Sequence, residues 1–71
     1  MTDLTLLKQK IIDSGFRRDF IAEKAGMETH TLYRRLTGVG EFTASEILGL
    51  SKALNLKASE RNAIFFKEER E

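Results

Sequence analysis

An all-α domain of five short helices is what this 71-residue sequence predicts, and three observations carry that expectation. Leu4, Leu7 and Ile11 recur at i, i+3 and i+7, the spacing of one face of a helix. The stretch FTASEI, residues 42–47, holds the reciprocal signal that opens a helix, a threonine followed three residues later by a glutamate. Proline is absent, and the apolar–polar alternation that marks strands appears nowhere.

The first helix is expected from about Asp3 to Ser14, with Ile12 widening its apolar stripe and Gly15 as a left-handed stop. Phe16 is expected to fold back onto the core. A second helix follows from about Arg18 to Ala25, with Ile21 and Ala25 inward and Gly26 at its end. Met27 plugs the corner. The third helix spans about Thr29 to Thr37, with Leu32 and Leu36 inward. Thr43 caps the fourth, Glu46 completes its capping box, and Phe42 with Ile47 forms a hydrophobic staple. Ile47, Leu50, Ser51 and Leu54 continue at helical spacing with Leu48 beside them, and Asn55 stops the helix. A last helix covers about Ser59 to Phe66, and the polar tail over residues 67–71 frays.

Size and composition narrow the classes of function. One domain, residues 1–71, is all the length allows, and a chain this short buries only about 60% of its unfolded surface. There is no cysteine, so disulfides and thiolate metal sites are excluded, in keeping with a reducing cytoplasm. The opening MTDLTLLKQK is charged and lacks an apolar signal core. No apolar run is long enough to cross a bilayer. Net charge is only +1, but it is unevenly spread. Gly15–Gly38 holds five basic and three acidic residues, whereas Phe42–Glu71 holds five of each.

The stretch IAEKAGMETHTLYRRLTG, residues 21–38, carries the function. Gly26 permits the positive φ of a sharp turn. Ile21, Ala25, Met27 and Leu32 can then close one apolar wedge, with Ala22 small enough for a close helix crossing. Thr29, His30, Tyr33 and Arg34 are left on the outer face of the third helix. This is the helix-turn-helix pattern, whose second helix enters the DNA major groove. Arg34 suits a bidentate contact to guanine, and Thr29 a hydrogen bond or a methyl contact to thymine. His30 can donate to a base or a phosphate, and the Tyr33 hydroxyl can reach a phosphate.

With Ile21-Ala22, Gly26-Met27, THTLYRRLTG from Thr29 and EFTASEI opening the next helix, the sequence resembles the lambda repressor-like (Cro/C1, XRE) regulators of phages and bacteria. The resemblance spans roughly Leu4 to Phe66. It implies a compact five-helix fold with the helix-turn-helix at helices two and three. It also implies a transcriptional regulator that occludes a promoter by binding a DNA operator as a dimer. Carried over by position, the base contacts are Glu28, Thr29, His30, Tyr33 and Arg34. The phosphate contacts are Arg18 and Arg17 at the second helix, Arg35 and Thr37 at the end of the third, and Gly40 and Thr43 before the fourth. The chain departs from the family at Glu28, where Ser or Thr is usual, at Arg18, where Gln is common, and at Arg35, where an apolar residue is common.

Other chemistry finds little support. His30 is the only histidine, so a metal site lacks partners. The glycines of GVGE, residues 38–41, lack the strand and the following Lys-Ser/Thr of a phosphate loop. No nucleophile motif is present, so neither an enzyme nor a cofactor is expected. Phe65 and Phe66 are adjacent and cannot face one spot. One is expected in the core, and the other either covers its edge or forms a dimer contact. The alternative to DNA binding is a protein-interaction module on the same fold, such as an anti-repressor or an antitoxin-like partner, favoured by the low net charge and by Glu28 and Glu41.

Overall fold

The computed structural model of the chain describes residues 1–68. They form five α-helices: α1 (Leu4–Ser14), α2 (Arg18–Ala25), α3 (Thr29–Leu36), α4 (Ala44–Ala53) and α5 (Ala58–Phe65). There is no strand among the described residues. Helices of this length are marginal alone in water, so packing must hold them. Local chemistry still sets where each begins. The Asp3 carboxylate accepts from the Leu6 N–H at 3.0 Å and caps α1. At α4, the Glu46 N–H donates to Thr43 Oγ1 at 3.2 Å and the Thr43 N–H donates back to Glu46 Oε1 at 2.9 Å. At α5 the Lys57 N–H donates to Glu60 at 2.8 Å, and the helix starts one residue before the expected Ser59.

The corner between α2 and α3 is made by Gly26, which adopts φ +75°. Its N–H donates to the Glu23 carbonyl at 3.1 Å and the Met27 N–H to the Ala22 carbonyl at 2.8 Å. That paired closure satisfies carbonyls the helix leaves open and needs a left-handed residue between them. Asn55 repeats the arrangement after α4 at φ 53°, with the Leu56 N–H on the Ser51 carbonyl at 2.8 Å. Met27 is half-buried and packs against the core, closing the wedge with Ile21, Ala25 and Leu32.

Every helix contributes to one core: Leu7 and Ile11, Ile21, Ala22 and Ala25, Leu32 and Leu36, Leu50, and Ile64 and Phe65. The most extensive helix pairing is α2 on α4. Gly49 makes it possible, because a Cβ there would lie 2.9 Å from the Ala25 carbonyl carbon and nearer still to its oxygen. Ser51 is the buried polar residue of this layer, its hydroxyl donating to the Ile47 carbonyl at 2.7 Å. Lys10 and Glu60, 2.6 Å apart, join α1 to α5. No helix among the described residues is long and apolar enough to cross a membrane.

Four expectations need correction. Phe16 does not fold into the core. Ser14 Oγ donates to the Ile11 carbonyl and accepts from the Phe16 N–H, turning the chain outward, so the Phe16 ring lies half-exposed against Phe20 at 5.0 Å. Ile12 and Leu48 are also exposed, at 67% and 53%, since neither helix buries so wide a stripe. Phe65 cannot be a dimer contact: it is 4% exposed and packs edge-on against Phe42 at 5.4 Å, whereas Phe66 is 56% exposed. Lys67 is not free at the start of the tail: its N–H donates to the Met1 carbonyl at 3.2 Å, beside an Asp3 N–H to Ile64 carbonyl bond of 2.6 Å. Of the expected frayed tail, residues 69–71 lie outside the described residues.

Candidate nucleic-acid interface

Burial divides α3 in two. Leu32 and Leu36 are inaccessible, while His30, Tyr33 and Arg34 are exposed and Thr29 is half-buried at the first turn. Glu28 stands before α3 with extended backbone and offers its carboxylate to no N–H of the helix. It lies 3.8 Å from His30 Nε2 instead. The outer face of α3 is therefore a short row of acceptor, imidazole, phenol and guanidinium, raised by the two leucines beneath it. Arg34 has no carboxylate within 4.0 Å among the described residues.

The residues expected on the phosphate backbone separate into two groups. Arg17 and Arg18 stand at the start of α2. Arg17 is almost fully exposed and lies 3.6 Å from Asp19. Arg18 has no acidic partner among the described residues; its guanidinium sits 5.1 Å from the centre of the Tyr33 ring. Thr37 is exposed after α3, its hydroxyl donating to the Arg34 carbonyl at 2.7 Å. Of these, Arg18 touches the exposed side of α3 through Tyr33, and Thr37 directly follows the helix.

Arg35 and Thr43 are both engaged by Glu46. Arg35 Nε donates to Glu46 Oε1 at 3.1 Å and its Nη2 to Glu46 Oε2 at 3.3 Å, and both side chains are largely buried. The expectation that Arg35 reaches a phosphate gives way to this fork-shaped ion pair, which no spacing rule announces across 11 positions. Burial pushes the Glu46 carboxyl up, but Arg35 and the Thr43 N–H outweigh it and hold it below its ordinary range. Because the Thr43 N–H serves Glu46, it is not free for a phosphate. Gly40, at φ +75°, passes directly over Arg35, where a Cβ would meet Nη1 at 2.5 Å. The segment from Thr37 to Thr43 is thus shaped around the Arg35 guanidinium, and the Gly40 N–H has no acceptor among the described residues.

A second surface lies on the α4–α5 side. Phe42, Ala44, Ile47, Leu48, Arg61 and Phe66 line an open, mostly apolar groove of about 510 Å³. Exposed Phe66 and Leu48 border it. Comparison of the chain with protein-family models, characterised proteins and solved structures finds no match.

Proposed function

We propose that the chain is a sequence-specific DNA-binding regulator of transcription, of the lambda repressor-like type found in phages and prophages. In this assignment α2 and α3 are the helix-turn-helix, and α3 enters the major groove. The observation that carries it is the two-sided character of α3: Leu32 and Leu36 anchor the helix, while His30, Tyr33 and Arg34 project from it with the cations at the start of α2 alongside. Arg34 reads guanine O6 and N7; Thr29 and His30 contact neighbouring base edges; Glu28 accepts from cytosine N4. Arg17, Arg18, Thr37 and the Gly40 N–H hold the phosphate backbone and set the register.

The regulator acts as a dimer on a near-palindromic operator with half-sites about 34 Å apart, occluding a promoter. Phe66 and the groove beside it supply the contact between copies, formed in solution or only on DNA. Selection of bound duplexes from a random pool tests this function. A palindromic consensus is expected, and Arg34→Ala should relax one base position at a cost of about 1–3 kcal/mol. No enrichment at low salt would refute it. The exposed apolar groove favours a second function, a protein-interaction module, which predicts a salt-insensitive protein complex and no retention on DNA.

A further inference from the structure

Tyr33 lies on the exposed side of α3 and Arg18 at the first turn of α2, yet the two meet, the guanidinium 5.1 Å from the ring centre. Tyr33 is half-exposed and Arg18 partly buried, so the contact lies at the margin of the surface proposed to face DNA. Two features mark Arg18 off from Arg17 and Arg35. Arg17 is beside Asp19 and Arg35 is locked to Glu46, whereas Arg18 has no carboxylate within 4.0 Å among the described residues. Its charge is uncompensated, and its position is set by an aromatic face. A guanidinium over a phenol ring is attracted to the ring's negative face, and no carboxylate among the described residues takes up its N–H groups.

Resting on the DNA-binding function proposed above, we infer that Tyr33 is a positioning residue rather than a base reader: its ring presets Arg18 for a DNA phosphate. An unrestrained arginine surrenders rotamer freedom when it grips a phosphate. Stacking on Tyr33 removes part of that loss before the duplex arrives. The same contact bridges α2 and α3, so the phosphate grip and the base-reading helix move as one piece. Aromatic character at position 33 and the positive charge at position 18 then act as a single unit.

A double-mutant cycle on duplex binding tests this, with affinities measured for wild type, Tyr33→Phe, Tyr33→Leu, Arg18→Ala and Arg18→Ala/Tyr33→Leu across a salt series. Tyr33→Leu should weaken binding to selected and random duplexes alike by about two- to fivefold, the range of an exposed cation–π contact. It should leave the salt slope in place, because Arg18 still reaches its phosphate. Arg18→Ala should weaken binding further and lower the slope by about 0.9, one phosphate's worth. Tyr33→Phe keeps the ring and should bind like wild type. Once Arg18 is gone, Tyr33→Leu should have no added effect. Equal losses from Tyr33→Leu with and without Arg18, or a Tyr33→Phe variant as weak as Tyr33→Leu, would overturn the inference while leaving DNA binding intact. A wild-type chain that binds no duplex at low salt would overturn the DNA-binding function itself and the inference with it. Thermal unfolding of each variant identifies any loss that comes from the fold.

Discussion

Gly49→Ala replaces a glycine in mid-helix with the best helix former, and on helix propensity alone it should stabilise α4 by about 1 kcal/mol. The packing of α4 on α2 predicts the reverse. The added methyl would lie 2.9 Å from the Ala25 carbonyl carbon and 3.0 Å from its Cα, with the carbonyl oxygen nearer still. All three are main-chain atoms, so no side chain can rotate away, and the two helices must separate by on the order of 1 Å, enough to forfeit a quarter to a half of each contact's attraction. Ile21, Ala22 and Leu50 lie in the layer that would open. Overpacking of this kind costs about 1–3 kcal/mol, and a collision with backbone belongs at the upper end. After the propensity gain, a net loss of about 2 kcal/mol remains, which lowers the melting temperature of a domain this small by roughly 8–16 °C. Circular dichroism during thermal and urea unfolding measures it directly. Ala25→Gly should fail to rescue Gly49→Ala, because it removes a side chain that is not the obstacle. A Gly49→Ala chain as stable as wild type would refute the close α2–α4 crossing.

The remaining predictions concern the site and its supports. Arg35→Ala strips Glu46 of its ion pair in a largely buried setting and should cost about 1–3 kcal/mol in urea unfolding; no loss would mean the pair does not hold the segment before α4. The Asp3, Glu46 and Glu60 carboxyls are all held below their ordinary range in the folded chain. For Asp3 the main cause is the Leu6 N–H, and for Glu60 it is Lys10. The unfolded chain therefore takes up protons first. The stability these groups contribute is complete above the usual carboxylate range and disappears as the pH falls through it, from about 5 downward. A melting temperature that stays constant between neutral pH and about pH 3 would contradict this. Gly26→Ala meets no atom within 4 Å, so its cost is the left-handed backbone alone, about 1–2 kcal/mol, read as a shift in urea midpoint.

Elements governed by neighbours in sequence are legible in the sequence alone. The Thr43–Glu46 capping box, the Gly26 corner and the Asn55 stop each rest on contacts within a few residues, and residue type alone encodes them. The buried faces of α2 and α3 followed from helical spacing. Long-range pairings were not legible. Nothing in the spacing of Arg35 and Glu46, of Arg18 and Tyr33, or of Ala25 and Gly49 marks them as partners, because each depends on how helices are arranged in space. Phe16 misled because apolarity implies burial only on average, while the Ser14 hydroxyl decides the local path. The exposure of His30, Tyr33 and Arg34 was legible, since helical periodicity separates Leu32 and Leu36 from the outer residues of α3. The division of the basic residues into free and internally paired ones was not.

That division bears on the proposed binding of a polyanion by a chain with net charge +1. Affinity for phosphates depends on the cations that meet the duplex, not on the sum over the molecule. Several basic residues are matched inside this fold: Lys10 by Glu60, Arg35 by Glu46 and Lys67 by Asp3. These pairs lie between helices or between the chain's two ends and neutralise positive charge away from the outer side of α3. On that side Arg18 and Arg34 are left without acidic partners among the described residues. The one carboxylate in their row, Glu28, lies 3.8 Å from His30 Nε2 and not against either arginine. A low total charge and a locally positive face are therefore compatible. The salt dependence of duplex binding should report the few cations around α3, and a slope near that of one or two phosphates per chain would match this arrangement. A slope several times larger would require lysines on other surfaces to touch DNA, and would move the interface away from α3.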